Sequence, residues 1–203
     1  TGNDVIVLDT RPAGTFTQGF VPGSISIGLE GRFAEWAGSL LPFNVSIVLV
    51  TEPGKEKETI IRLARVGFEK IKGYLDGGYE AWKNAGEPID MIIDIEADEL
   101  MMDIPHDQNL VVIDVRRETE FADGHLKDAV NIPLIEMTDP GNLANLEETQ
   151  NLYIHCAAGY RSVIASSLLK RQGIHNLRNI AGGWEKIKEQ EKAEIIKETS
   201  VLN

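Results

Sequence analysis

Val5-Ile6-Val7-Leu8-Asp9-Thr10-Arg11 returns as Leu110-Val111-Val112-Ile113-Asp114-Val115-Arg116, an offset of 105 that holds without a gap to Ile27 and Ile132. Phe16 falls on Phe121 and Gly19 on Gly124. Much later Gly77-Gly78-Tyr79 falls on Gly182-Gly183-Trp184 at the same spacing. Self-similarity at a fixed, long period marks an internal duplication.

The repeated stretch also fixes the class of fold. Each copy is an apolar run too short for a helix and rich in Val and Ile, as strands of a parallel sheet buried on both faces are. The first unit reads as strands over 5–8, 24–27 and 45–50, then a helix over 56–65 ended by Gly67. The second reads as strands over 111–113, 129–132 and 152–155, then a helix over 161–171 ended by Gly173. Both close with a Gly-Gly-aromatic turn into a further helix, over 79–85 and over 184 to about 197. The interleaved Lys and Glu of 185–197 fit a solvated helix face. The expectation is α/β, with two tandem domains, each a small parallel sheet flanked by helices.

The boundary is expected at Gly86-Glu87-Pro88, giving domains 1–88 and 89–203. The units differ at their starts. A strand over 91–95 and a helix opening at Ala97-Asp98-Glu99-Leu100 precede the second repeat, whereas four residues precede Val5. The first unit therefore reads as truncated, and the chain as the C-terminal part of a longer protein.

Bulk composition narrows the partners. The chain has 203 residues, 42% of them hydrophobic, and no long apolar run, so a soluble globular protein without a membrane span is expected. A net charge of -12, with no block of Lys or Arg, argues against nucleic acid and anionic membrane. One cysteine allows no internal disulfide, and no signal peptide is evident, which fits the cytoplasm. His106, His125, His155 and His175 are scattered without ligand spacing, so neither metal nor cofactor is expected.

The single cysteine stands in Tyr153-Ile154-His155-Cys156-Ala157-Ala158-Gly159-Tyr160-Arg161-Ser162, between the third strand and the following helix. A loop closing onto a helix start turns several unpaired N–H groups into one concavity at the positive end of the helix dipole. Such a cradle favours a thiolate and can hold an incoming anion.

These residues together resemble the rhodanese family of sulfurtransferases. The second half carries the resemblance through Asp114-Val115-Arg116, Glu120-Phe121, Gly124-His125-Leu126, Ala129-Val130-Asn131-Ile132-Pro133, the loop from Cys156 to Arg161 with Ser162, and Gly182-Gly183-Trp184. The first half carries it through Asp9-Thr10-Arg11, Gly19, Pro22-Gly23-Ser24-Ile25 and Gly77-Gly78-Tyr79. It departs at the cysteine, whose place falls on Thr51 or Val50, followed by the acid Glu52. The whole is similar to rhodaneses with an inactive first domain and an active second one. A narrower resemblance, through Ala-Gly-Tyr-Arg-Ser around Gly159 and Phe33-Ala34-Glu35-Trp36-Ala37, is to the rhodanese tails of bacterial fusion proteins that begin with a metallo-β-lactamase-fold domain, making such an upstream domain an expected partner.

The resemblance implies a two-step transfer. Cys156 takes a sulfane sulfur from a small anionic donor, and a thiol or cyanide-like acceptor removes it. The N–H groups of Ala157, Ala158, Gly159 and Tyr160, with Arg161, would hold the donor and the persulfide. Gly159 gives the turn its backbone freedom, and Tyr160 would stand at the pocket mouth. His155, His125 and Asp114 read as structural, Arg116 as the partner of a carboxylate such as Glu120, and Trp36 and Trp184 as packing residues. Two rivals remain. Cysteine-dependent phosphatases place five residues between cysteine and arginine, whereas this loop has four. The other is a non-catalytic regulatory or interaction module of a larger metallo-β-lactamase-fold fusion protein, a role that describes the first half, which has no thiol.

Overall fold

The computed structural model describes residues 5–198, leaving the opening Thr1-Gly2-Asn3 outside. The chain divides into two compact units between Met91 and Ile92. Residues past Pro88 stay with the first unit because Phe20 and Asp90 exchange an antiparallel pair of backbone hydrogen bonds.

The first unit runs β1 Val5–Asp9, α1 Ala13–Thr17, β2 Ile25–Ser26, α2 Phe33–Leu40, β3 Ser46–Val50, α3 Glu56–Arg65, β4 Ile71–Tyr74 and α4 Gly78–Asn84. Its sheet has the order β2-β1-β3-β4 and is parallel throughout. Helix α3 follows its sequence logic from end to end. Glu56 and Glu58 sit in its first turn and Arg62 and Arg65 in its last, each complementing the helix dipole. Thr59 and Leu63 face inward, and Gly67, at φ +100°, stops the helix in a conformation that side chains disfavour.

The second unit runs β5 Ile93–Ile95, α5 Ala97–Asp103, β6 Leu110–Asp114, α6 Glu118–Ala122, β7 His125–Leu126, β8 Val130–Asn131, a 3-10 turn Leu134–Thr138, α7 Pro140–Leu143, β9 Asn151–His155, α8 Tyr160–Arg171, β10 Leu177–Ile180, α9 Gly183–Ile187 and β11 Ile195–Ile196. The parallel sheet has the order β5-β10-β9-β6-β8. Part of its core joins Ile95, Leu100, Met101, Val112, Leu126, Tyr153, Ile180 and Ile187. Helix α8 is buried from Ser162 through Leu169 and packs on β9, β10 and the 3-10 turn. Truncating a buried leucine such as Leu169 in such a core costs about 2–5 kcal/mol.

The duplication read from sequence is visible in the registers. Asp9 pairs with Val50 on β3, and Asp114 with His155 on β9. The next residues, Thr51 and Cys156, therefore occupy equivalent places, which selects Thr51 over Val50 as the first unit's counterpart of the cysteine.

One expected element is corrected. The helix expected over 184 to about 197 ends at Ile187, and the chain then returns as β11 to pair antiparallel with β7. Lys127 N–H donates to the Glu194 carbonyl, and Glu198 N–H to that of Ala122. The Lys/Glu-rich stretch 188–194 is turn and irregular chain, and the residues that pair are Ile195 and Ile196 beyond it. Pairing with a distant strand, which leaves no local pattern, overrode the helical reading.

Candidate active site

The site is built at the carboxyl ends of β6 and β9. Asp114 closes β6, and its carboxylate is fully buried. It accepts Arg116 N–H at 3.0 Å and the Arg116 guanidinium through Nε at 2.9 Å and Nη2 at 2.5 Å. The same Nη2 donates to the Gly124 carbonyl at 2.8 Å, and the guanidinium lies 4.5 Å from the centre of the Trp184 ring. The first unit repeats every contact: Asp9 holds Arg11, Arg11 donates to the Gly19 carbonyl, and its guanidinium lies 4.2 Å over the Tyr79 ring. The widely spaced repeat residues are thus one local device. A buried cation ties the first loop to the Gly-Gly-aromatic turn, and removing one partner of such a pair costs about 3–5 kcal/mol. Arg116 is paired with Asp114, not with Glu120 as the sequence suggested.

That tie presses the Gly-Gly turn against the cysteine loop. Trp184 N–H donates to the Cys156 carbonyl at 2.7 Å, and Glu185 N–H to that of Ala157 at 3.1 Å. Gly182 and Gly183 both take positive φ, +69° and +55°. Their approach to the loop leaves no room for a Cβ on Gly183.

Cys156 is a free thiol, 1% exposed, at the foot of the loop. Gly159, at φ +106°, turns the backbone so that its N–H donates to the Cys156 Sγ at 3.1 Å. Ser162 Oγ donates to the Gly159 carbonyl at 3.0 Å and holds that turn. Helix α8 begins at Tyr160, so the N–H groups of its first turn have no acceptor within the helix. From the sulfur the loop climbs outward: Ala157 is half-buried, Ala158 exposed, Gly159 and Tyr160 half-buried.

Arg161 is half-buried and forks onto Glu120 of α6, with Nη1 to Oε2 and Nη2 to Oε1 both 2.7 Å. Glu120 Oε2 also accepts Arg117 N–H at 3.1 Å. The Arg161 guanidinium, followed by the Arg117 amide, holds the Glu120 carboxyl down at about 2 against some burial. Glu120, and more weakly a Cys156 thiolate, raise Arg161 in turn. The cation expected to wait for a donor anion already carries one. This partner lies 41 residues away, and its only sequence signal was Glu120-Phe121 among the residues that carry the resemblance, since the repeat has Thr15 in the place of Glu120.

His155 is fully buried, with Nδ1 3.2 Å from the Cys156 carbonyl and Nε2 3.7 Å from Asp114 Oδ2. Both ring nitrogens point into the scaffold. Burial pushes its pKa down, outweighing Asp114. His125 Nδ1 lies 2.9 Å from the Phe121 carbonyl, and its ring stacks on Phe121. In the first unit Thr51 is buried and Glu52, Pro53, Gly54 and Lys55 are exposed. Among the described residues no three His, Cys, Asp or Glu side chains converge as a metal site requires, and no helix is long and apolar enough to cross a membrane.

The family model described as Rhodanese-like domain matches this chain twice, over residues 1–85 and 96–190. Among curated proteins, the chain is 31% identical over 107 residues to the "Putative sulfur carrier protein YrkF" of Bacillus subtilis, covering 53% of this chain and 55% of that one. It is 26% identical over 93 residues to a protein named "Sulfurtransferase" from Allochromatium vinosum, covering 46% and 85%. The chain thus spans just over half the length of the first of these relatives. A thiosulfate sulfurtransferase structure from Pseudomonas aeruginosa superposes with a TM-score of 0.47 at 18% identity, covering 96% of this chain and 41% of that one.

Proposed function

The chain belongs to the rhodanese-like family, and from that premise we propose that its second unit is a sulfurtransferase working through a persulfide on Cys156. The observation that carries the reading is the Gly159 N–H donating to the Cys156 sulfur, in a loop that opens a helix. That amide and the helix dipole stabilise an anion on sulfur, whether thiolate or persulfide. The relatives named as sulfurtransferase and as sulfur carrier support the same chemistry.

In the first step the Cys156 thiolate attacks the sulfane sulfur of the donor. An S–S bond forms on Cys156 as the donor's own bond to that sulfur breaks, and its electron pair leaves with the product. Thiosulfate would release sulfite, and a thiosulfonate would release a sulfinate. In the second step an acceptor, a thiolate or cyanide, attacks the outer sulfur and restores the Cys156 thiolate. No proton need move in either step. The loop amides act as fixed dipoles aimed at charge on sulfur, which costs no reorganisation during the reaction. The depth of Cys156 suits a reaction in which one atom is passed down to it.

The first unit has the same scaffold with Thr51 in place of a thiol. We assign it no sulfur transfer of its own. Sulfur release from thiosulfate and from benzenethiosulfonate to cyanide, compared between the wild-type protein and Cys156→Ser, tests the reading, with turnover expected only in the wild type.

A further inference from the structure

Glu120 takes no part in the two transfer steps, yet its carboxylate engages Arg161 through both oxygens at 2.7 Å. The pair is anchored from the other side, since Oε2 also accepts the Arg117 N–H within the capping box of α6. Arg116 cannot substitute for Arg161. It is spent on Asp114 and the Gly124 carbonyl, beneath Trp184. Counting the formal charges around the loop, Arg161 supplies one positive, Glu120 cancels it, and a Cys156 thiolate leaves the site with one net negative charge. A donor entering this site meets backbone dipoles and no free cation from these residues. Each further negative charge on the donor is therefore penalised, whether Glu120 stays in place or is displaced from Arg161.

We propose that Glu120 sets the charge of the donor this site accepts: by neutralising Arg161 it fits the loop to singly charged sulfane-sulfur donors, such as persulfide or thiosulfonate anions, and against doubly charged thiosulfate. The inference rests on the sulfur-transfer reading. Glu120 acts through Arg161, as a specificity-determining residue that need not touch the reacting atoms.

The experiment uses two matched pairs of probes on the wild type, Glu120→Gln and Glu120→Asp. In the first arm sulfate and methanesulfonate, similar in size and different in charge, compete with iodoacetamide for Cys156, the chain's only thiol. In the second arm kcat and KM are measured with thiosulfate and benzenethiosulfonate. Glu120→Gln should raise protection by sulfate relative to methanesulfonate by about tenfold or more, the size of one charge-assisted contact. The kcat/KM ratio of thiosulfate to benzenethiosulfonate should rise in parallel, through KM. Glu120→Asp, which keeps the charge, should stay with the wild type. A Glu120→Gln protein whose two ratios stay within about twofold of wild type, or which loses both donors equally, overturns the proposal. If neither donor adds sulfur to Cys156 in any variant, the sulfur-transfer reading fails, and the protection ratio still decides charge selection by itself.

Discussion

A Cβ placed on Gly183 would lie 2.3 Å from the carbonyl oxygen of Cys156. The Gly-Gly-aromatic turn is therefore the back wall of the cysteine loop. Its first-unit counterpart is looser, since a Cβ on Gly78 would stand 3.2 Å from the Thr51 carbonyl. Gly183→Ala must push the loop outward and also hold alanine at φ +55°, which costs about 1–2 kcal/mol even without the clash. We expect Gly183→Ala to lower thermal stability and to cut transfer by Cys156 more than tenfold, about 1.4 kcal/mol or more of barrier. Gly78→Ala should leave transfer unchanged, with donor kinetics and thermal melts on both proteins as the check.

Arg161 and Glu120 form a pair whose members cannot be removed independently. Arg161→Ala leaves a carboxylate without its cation beside the thiolate loop. We expect donor use to fall by about 1.5–3 kcal/mol in kcat/KM. Adding Glu120→Gln to Arg161→Ala should restore part of the loss, and a double-mutant cycle on kcat/KM reads the coupling directly. Additive effects would show that the two act separately.

His155 makes stability depend on pH. Its pKa is lowered by burial, so the unfolded chain binds a proton below its ordinary value of 6.5 while the folded chain does not. The stability due to the neutral, buried ring is full above that value and is lost as pH falls below it toward the folded pKa. The slope is up to about 1.4 kcal/mol per pH unit. Urea melts between neutral pH and mild acid should show this decline, and His155→Asn should flatten it. The Glu120 and Arg161 pair contributes at lower pH: its share is full above 4.5 and is lost toward about 2.

Much of this architecture was legible because the chain states it twice. The strands with Val and Ile runs, helix α3 and helix α8 all follow from local pattern, and the constant offset tied the two halves together. Strands β4 and β10 left no clear signal, since Lys72 and Gly73 interrupt one and Arg178 and Asn179 the other; both are strands because β3 and β9 pair with them. The five-residue helices α1 and α6 are too short to show a helical period. In the loop, the sequence located Cys156 and the turn at Gly159. It did not reveal that Arg161 faces Glu120, because a contact across 41 residues leaves no local pattern.

Loop size separates sulfur from phosphoryl chemistry. Four residues, Ala157 to Tyr160, lie between Cys156 and Arg161, and the single thiol is deeply covered. We expect negligible turnover of an aryl phosphate. Inserting one glycine after Ala158 should reduce sulfur transfer and improve binding of vanadate, measured by its protection of Cys156 from alkylation. Aryl phosphate turnover faster than transfer from any sulfur donor would favour the phosphatase.

The central claim is that sulfur is carried covalently on Cys156 and nowhere else in the chain. Intact mass measurement after incubation with benzenethiosulfonate, followed by removal of excess donor, reads this without a coupled assay. The wild type should gain the mass of one sulfur atom and lose it on addition of cyanide, while Cys156→Ala should gain nothing. A Cys156→Ala protein that gains the same mass, or a wild type that gains none from any sulfane donor, would contradict the account.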